Sequence, residues 1–131
     1  MKAMKQQDMR SPLGRVLGLG SAKDGVEHWW LQRLTAVALV PLTIWFVASI
    51  IAHTTSDYER SIAWLSTPLT TTCMTLLLIA MFYHTALGLQ VVIEDYVHSA
   101  AKVPLLVSMR LSCSALAVAG IVANLRIAFV G

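Results

Sequence analysis

His84 is the residue of this chain best placed to do chemistry. Allowing for the loop that follows Trp64, it lies near the middle of the span that ends at Tyr96, in a stretch with no charged residue from position 61 to position 93. A stretch of about 20 apolar residues crosses a bilayer, so His84 falls near the middle of a span. A titratable side chain at that depth is costly and is by default functional. The alternative is a neutral imidazole hydrogen-bonded across to a neighbouring helix. At 100° per residue, His84, Gly88, Val91 and Asp95 fall on one helical face, and Ala80 and Cys73 continue it. Small residues beside the histidine let a flat, bulky group approach, although Ala80 and Gly88 also suit an ordinary helix-packing groove. Asp95 follows His84 by eleven residues, about 16 Å along a helix. One face can therefore join a mid-membrane site to a site at the membrane edge.

A heme against the histidine and simple helix packing predict the same small residues; a heme iron, for electron transfer, needs two axial ligands. His28, His53 and His98 all fall at span ends, at the wrong depth to serve as the second. If His84 binds heme, the other ligand comes from another chain. At the edge, the Tyr96 hydroxyl can donate to a quinone carbonyl, and Asp95 can orient a group or hold a proton path. Each has a plainer reading: Tyr96 as an aromatic-belt anchor and Asp95 as a solvated helix-end charge. Arg33, at similar depth on the first span, is either a snorkelling cation or a partner for heme propionates or for Asp95.

The elements that must position these residues follow from charge and composition. The chain has 131 residues, of which 56% are hydrophobic and 13% charged; a typical globular domain has about 25% charged. Its mean hydropathy is +0.67. Residues 34–56 and 61–93 carry no charge at all. The chain is thus expected to be an all-α integral membrane protein with three transmembrane helices, at about 29–53, 68–96 and 104–129. A soluble catalytic domain, a nucleic-acid binder and a secreted disulfide scaffold are excluded. Residues 1–28 read as a polar arm and 29–131 as the transmembrane domain. Pro41 is expected to bend the first span, and TTSDYERSIAW (54–64) reads as a loop. Cys73 and Cys113 lie in apolar stretches and form no CxxC or Cys/His cluster, so this chain alone holds neither an iron–sulfur centre nor a structural zinc.

Six of the ten basic residues fall within the first 33: Lys2, Lys5, Arg10, Arg15, Lys23 and Arg33. The positive-inside rule then places the N-terminus in the cytoplasm. The net charge of +3 is accordingly read as a mark of orientation, not of an anionic partner. Three spans put the turn holding Glu94, Asp95, Tyr96 and His98 on the same side as the HWWLQR segment.

The pattern H-x3-G-x-Q-x4-D-Y (His84, Gly88, Gln90, Asp95, Tyr96), following a basic arm and H-W-W-L-Q-R, resembles the hydrophobic membrane-anchor subunit of succinate dehydrogenase, the D subunit. The opening LGLGSAKDGVEHWWLQRLTAVALVPL is similar to the alphaproteobacterial version. The resemblance covers roughly residues 13–131. The Arg-Pro-x-Ser-Pro-His segment of the sibling C subunit is missing, which favours the D type.

That resemblance implies a heteromeric helix bundle in which two anchor subunits share one heme b and bind ubiquinone at the cytoplasmic edge. It implies a second, cytochrome b556-type anchor subunit, an iron–sulfur subunit and a flavoprotein that oxidises succinate. His84 would be the heme axial ligand, Tyr96 the quinone-binding tyrosine with Asp95 beside it, and Arg33 the arginine near the heme propionates. A further propionate-side histidine aligns with Glu27 or His28. The expected location is the bacterial inner membrane, with the mitochondrial inner membrane the lesser alternative. Rival readings are the anchor of a quinol:fumarate reductase and a purely structural anchor in which His84 only packs.

Overall fold

A backbone within hydrocarbon has no water to bond to, so an apolar run must satisfy its own amides, which a helix does. The computed structural model describes residues 23–130, and these form four helices. They are α1 (Lys23–His53), α2 (Tyr58–Leu65), α3 (Pro68–Tyr96) and α4 (Lys102–Val130). The three long helices have 31, 29 and 29 residues, or about 44–46 Å of length. That exceeds the ~30 Å of a bilayer's hydrocarbon core, so they must tilt or protrude. Each is long and apolar enough to cross a membrane; the chain is an all-α integral membrane protein, with three spans among the described residues.

The expected span at 68–96 is that of α3. The first helix begins at Lys23, so residues 23–28, read from sequence as part of the arm, already belong to α1. The rest of the arm, with Lys2, Lys5, Arg10 and Arg15, lies outside the described residues. Pro41 sits inside α1, which remains helical through it.

The segment read as a loop contains α2. The Asp57 carboxylate accepts from the Arg60 backbone N–H at 3.0 Å, an N-cap that satisfies one of the orphan donors of a helix start. Trp64 stacks on His53 with ring centroids 4.3 Å apart, which holds α2 against the end of α1. Pro68 then opens α3 at its first turn, where its missing N–H costs nothing.

Helix α3 is central, packing against α1 on one side and α4 on another. Polar ties join α3 to α4 at both ends. Buried Asn124 donates from Nδ2 to the Thr71 carbonyl at 3.0 Å and to the Thr75 hydroxyl at 3.1 Å. Toward the other end, the Arg110 guanidinium donates to Gln90 Oε1 at 2.7 Å. Gln90 Nε2 in turn donates to Glu94 at 2.8 Å. Between these ties Gly120 lets the helices close: a Cβ there would lie 3.3 Å from a Leu78 methyl. Among the described residues only Ala80 and Leu87 form a buried apolar core.

Helices surrounded by lipid gain little by hiding apolar surface from one another, so packing and interhelical hydrogen bonds hold them. Such bonds average about 0.6 kcal/mol and reach about 1.7. Asn124→Val, which removes two of them, should weaken the α3–α4 pair by about 1–2 kcal/mol and lower the melting temperature in detergent. Thr72→Val, which removes only a bond to the Pro68 carbonyl within α3, should leave the melting temperature nearly unchanged.

Candidate functional site

The α1–α3 pairing decides what His84 can do. Residues 28, 32 and 35 recur at four- and three-residue spacing, so His28, Gln32 and Thr35 share one face of α1. Gln32 and Thr35 reach α3 at Gly88 and His84. The His84 Nδ1 lies 2.9 Å from Thr35 Oγ1, and the half-buried ring is pinned there. Among the described residues nothing hydrogen-bonds its second nitrogen, Nε2. That atom is also not one of the fully covered polar atoms left without a partner.

One turn along, a Cβ on Gly88 would lie 3.7 Å from the Gln32 side-chain nitrogen. Of the two readings the sequence leaves for Gly88, the space beside it is filled by Gln32 of α1. Gln32 Oε1 and His28 Nε2 are both fully covered and unpartnered. The interface from mid-span towards Trp29 is thus a polar seam, with two acceptor-capable atoms left unsatisfied. His28 is half-buried along it, whereas Glu27 is exposed.

The remaining candidates stand apart from this seam. Gln90, although part of the same spacing pattern, turns to α4 and bonds Arg110 and Glu94. Asp95 and Tyr96 end α3 in the open, with Tyr96 81% exposed. Arg33 is exposed, and its guanidinium carbon lies 5.2 Å from the Trp29 ring centroid, a cation–π contact. Arg33 therefore rests on an aromatic at the same end of the bundle as Tyr96. Thr35 and Gln32 were missed by sequence reasoning. Their signal was available in retrospect: polar residues at three- and four-residue spacing with His28, on one face of the helix.

A heme held by His84 would ask two things of the ring. An axial histidine needs one nitrogen free and the ring oriented, usually through a hydrogen bond at the other nitrogen; Nε2 and Nδ1 of His84 meet those two conditions. Beside Thr35 runs an apolar groove of about 280 Å³, lined by Leu34, Thr35, Ala38, Ile79, Ala80 and Tyr83 among others. His84 is not among the residues lining this groove, which runs beside Thr35 and not around the imidazole. The described residues supply one ligating nitrogen with its ring held in place, and to that extent they fit a heme. They contain no cluster of three or more His, Cys, Asp or Glu side chains able to hold a metal ion by themselves.

The family described as succinate dehydrogenase/fumarate reductase transmembrane subunit matches residues 7–123. The succinate dehydrogenase hydrophobic membrane anchor subunit of Rickettsia bellii (strain RML369-C) is 39% identical over 90 residues, covering 69% of this chain and 72% of its own length. That of Rickettsia conorii (strain ATCC VR-613 / Malish 7) is 30% identical over 118 residues, covering 88% and 94%. That of Paracoccus denitrificans is 32% identical over 79 residues, covering 60% and 61%.

The seam yields a steric test. The 3.7 Å clearance at Gly88 is ordinary contact distance, so Gly88→Ala should leave the α1–α3 spacing unchanged. Gly88→Leu should displace Gln32 and push the helices apart. Spin-label distances between α1 and α3, measured by pulsed electron resonance, should lengthen in the second variant alone.

Proposed function

The chain belongs to the succinate dehydrogenase/fumarate reductase transmembrane subunit family, as a membrane anchor of the succinate dehydrogenase kind, and from that premise we propose that it supplies half of a heme b site and the edge of a ubiquinone site. Its companions in this reading are a second, cytochrome b556-type anchor, an iron–sulfur subunit and a flavoprotein, in a bacterial inner membrane. The basic residues of its first 33 positions place the N-terminus, and with it Tyr96, on the cytoplasmic side.

The observation that carries the reading is the state of His84: mid-span, ring pinned through Nδ1, and Nε2 without a partner among the described residues. Because Nε2 is unpartnered yet not fully covered, it is open to a group brought from outside this chain. An axial ligand must keep one nitrogen lone pair available for metal. Since the chain has no second histidine at that depth, a second ligand to the iron would come from the second anchor. Heme b, when bound, supplies a one-electron redox centre inside the bilayer. Arg33 is exposed at the Trp29 end and provides positive charge for its propionates, with half-buried His28 on the same end of α1. Gly88 contributes by admitting α1 close to α3 rather than by touching the group.

Ubiquinone is the substrate at the edge. The exposed Tyr96 hydroxyl donates to a quinone carbonyl and stabilises negative charge as the carbonyl is reduced, in the manner of an oxyanion donor. Asp95, adjacent and in contact with water, orients the site and passes protons from the cytoplasm. Succinate itself is oxidised by the flavoprotein in this reading, and the two separated cysteines of this chain do not make an iron–sulfur site.

The test is a reduced-minus-oxidised absorption spectrum of the complex purified through a tag on this chain. A b-type band should co-purify with succinate-oxidising activity, and His84→Ala should abolish or shift it; an unchanged band removes His84 as the ligand. Tyr96→Phe, which deletes one hydrogen bond to a developing charge, should lower ubiquinone reduction by about 10–100-fold. Succinate oxidation with an artificial soluble acceptor should be untouched. If both activities fall together, Tyr96 is structural.

A further inference from the structure

We infer that Thr35 is the positioning residue of the axial ligand, its hydroxyl holding His84 in the tautomer that leaves Nε2 free for iron. The inference rests on the proposed ligation of heme by His84 and extends it to a residue on a different helix.

The argument is one of proton counting. The Thr35 hydroxyl lies 2.8 Å from the Leu31 carbonyl and 3.1 Å from the Gln32 carbonyl, and 2.9 Å from His84 Nδ1. A hydroxyl has one proton and two lone pairs, and carbonyls can only accept. Donation to the preceding turn is the ordinary habit of a threonine inside a helix. With the proton so used, Oγ1 presents a lone pair to Nδ1, and Nδ1 must carry the ring hydrogen. The lone pair of the imidazole then sits on Nε2, as metal binding through that atom requires.

The reverse arrangement is poorer on two counts. If Thr35 donated to Nδ1, both carbonyl contacts would be without a proton. The ring hydrogen would move to Nε2, where no described residue accepts it, in surroundings where an unpaired donor is costly. The backbone adds rigidity, since Oγ1 is held by two carbonyls of its own helix and cannot follow a rotating ring. Orientation of a metal-bound histidine by a partner on its other nitrogen also raises the ligand's basicity and favours the more oxidised metal.

The experiment compares Thr35→Val, Thr35→Ser and His84→Ala in the complete complex purified in detergent, reading heme content, the b-band spectrum and the heme midpoint potential. Valine keeps the shape and removes the acceptor; serine restores it. Thr35→Val should retain heme roughly 10–100-fold less tightly, the usual cost of losing such a partner, and its potential should move to more positive values. Thr35→Ser should restore both. If Thr35→Val prevents assembly, Thr35→Ala read against Thr35→Ser carries the same comparison. Should His84→Ala remove the band while the valine or alanine variant matches the parent in retention, spectrum and potential, Thr35 is not the positioning residue and the ligation reading stands. Should His84→Ala leave the band intact, the ligation reading fails and the inference with it.

Discussion

An imidazole in the middle of a hydrocarbon layer cannot borrow partners from water, so every bond it makes must be provided by the protein around it. This constraint organises the bundle. His84 sits on α3, the only long helix in substantial contact with both others, and its ring is held from α1 through Thr35. Position α1 elsewhere and the ring is free to turn; position α4 elsewhere and α3 loses its support at Asn124 and Gln90. Among the described residues, the side-chain hydrogen bonds that tie one long helix to another include Thr35 with His84, Arg110 with Gln90, and Asn124 with Thr71 and Thr75.

The two functional levels are separated by geometry rather than by domain. His84 and Tyr96 share α3, twelve residues apart, or about 18 Å along its axis. One helix therefore spaces a half-buried mid-span histidine from an exposed tyrosine without any moving part. Helix α2 performs a similar spacing duty at the opposite end. Its Trp64 covers His53, and the Ser66 hydroxyl just beyond it donates to the Ile127 carbonyl of α4 at 3.1 Å, closing the ends of three helices together.

Much of this was legible in the sequence because lipid imposes a coarse rule that needs no packing detail. Two charge-free stretches and their flanking aromatics located the spans, and the bounds of α3 at Pro68 and Tyr96 emerged directly. The early start of α1 was missed because residues 23–28 are polar, and their helicity comes from continuation of an established helix rather than from apolar content. Helix α2 was missed although Asp57 was a capping signal, since eight residues between two spans resemble a loop in composition. In the site, His84 was conspicuous as a titratable group far from water. Thr35 was not, because a threonine in a span is usually bonded to its own backbone and gives no sign of what else it touches. Which neighbour lies beside Gly88 likewise depends on how α1 rotates about its axis, and an apolar run all round a helix does not encode rotation.

The scarcity of buried residues has a consequence for how such a sequence can drift. Among the described residues, Ala80 and Leu87 alone make an apolar core, while side chains such as Val37, Val40, Ile44, Leu69 and Phe129 face outward. Where the neighbour is fluid lipid, exchanging Leu for Ile or Val alters neither shape-fit nor solvation appreciably, so these positions wander almost freely. The restraint falls instead on isolated points where one helix meets another: a hydroxyl, an amide, a missing Cβ. Lineages of such a chain should diverge quickly in their letters and slowly in their outline, with ancestry written in a handful of polar and small residues.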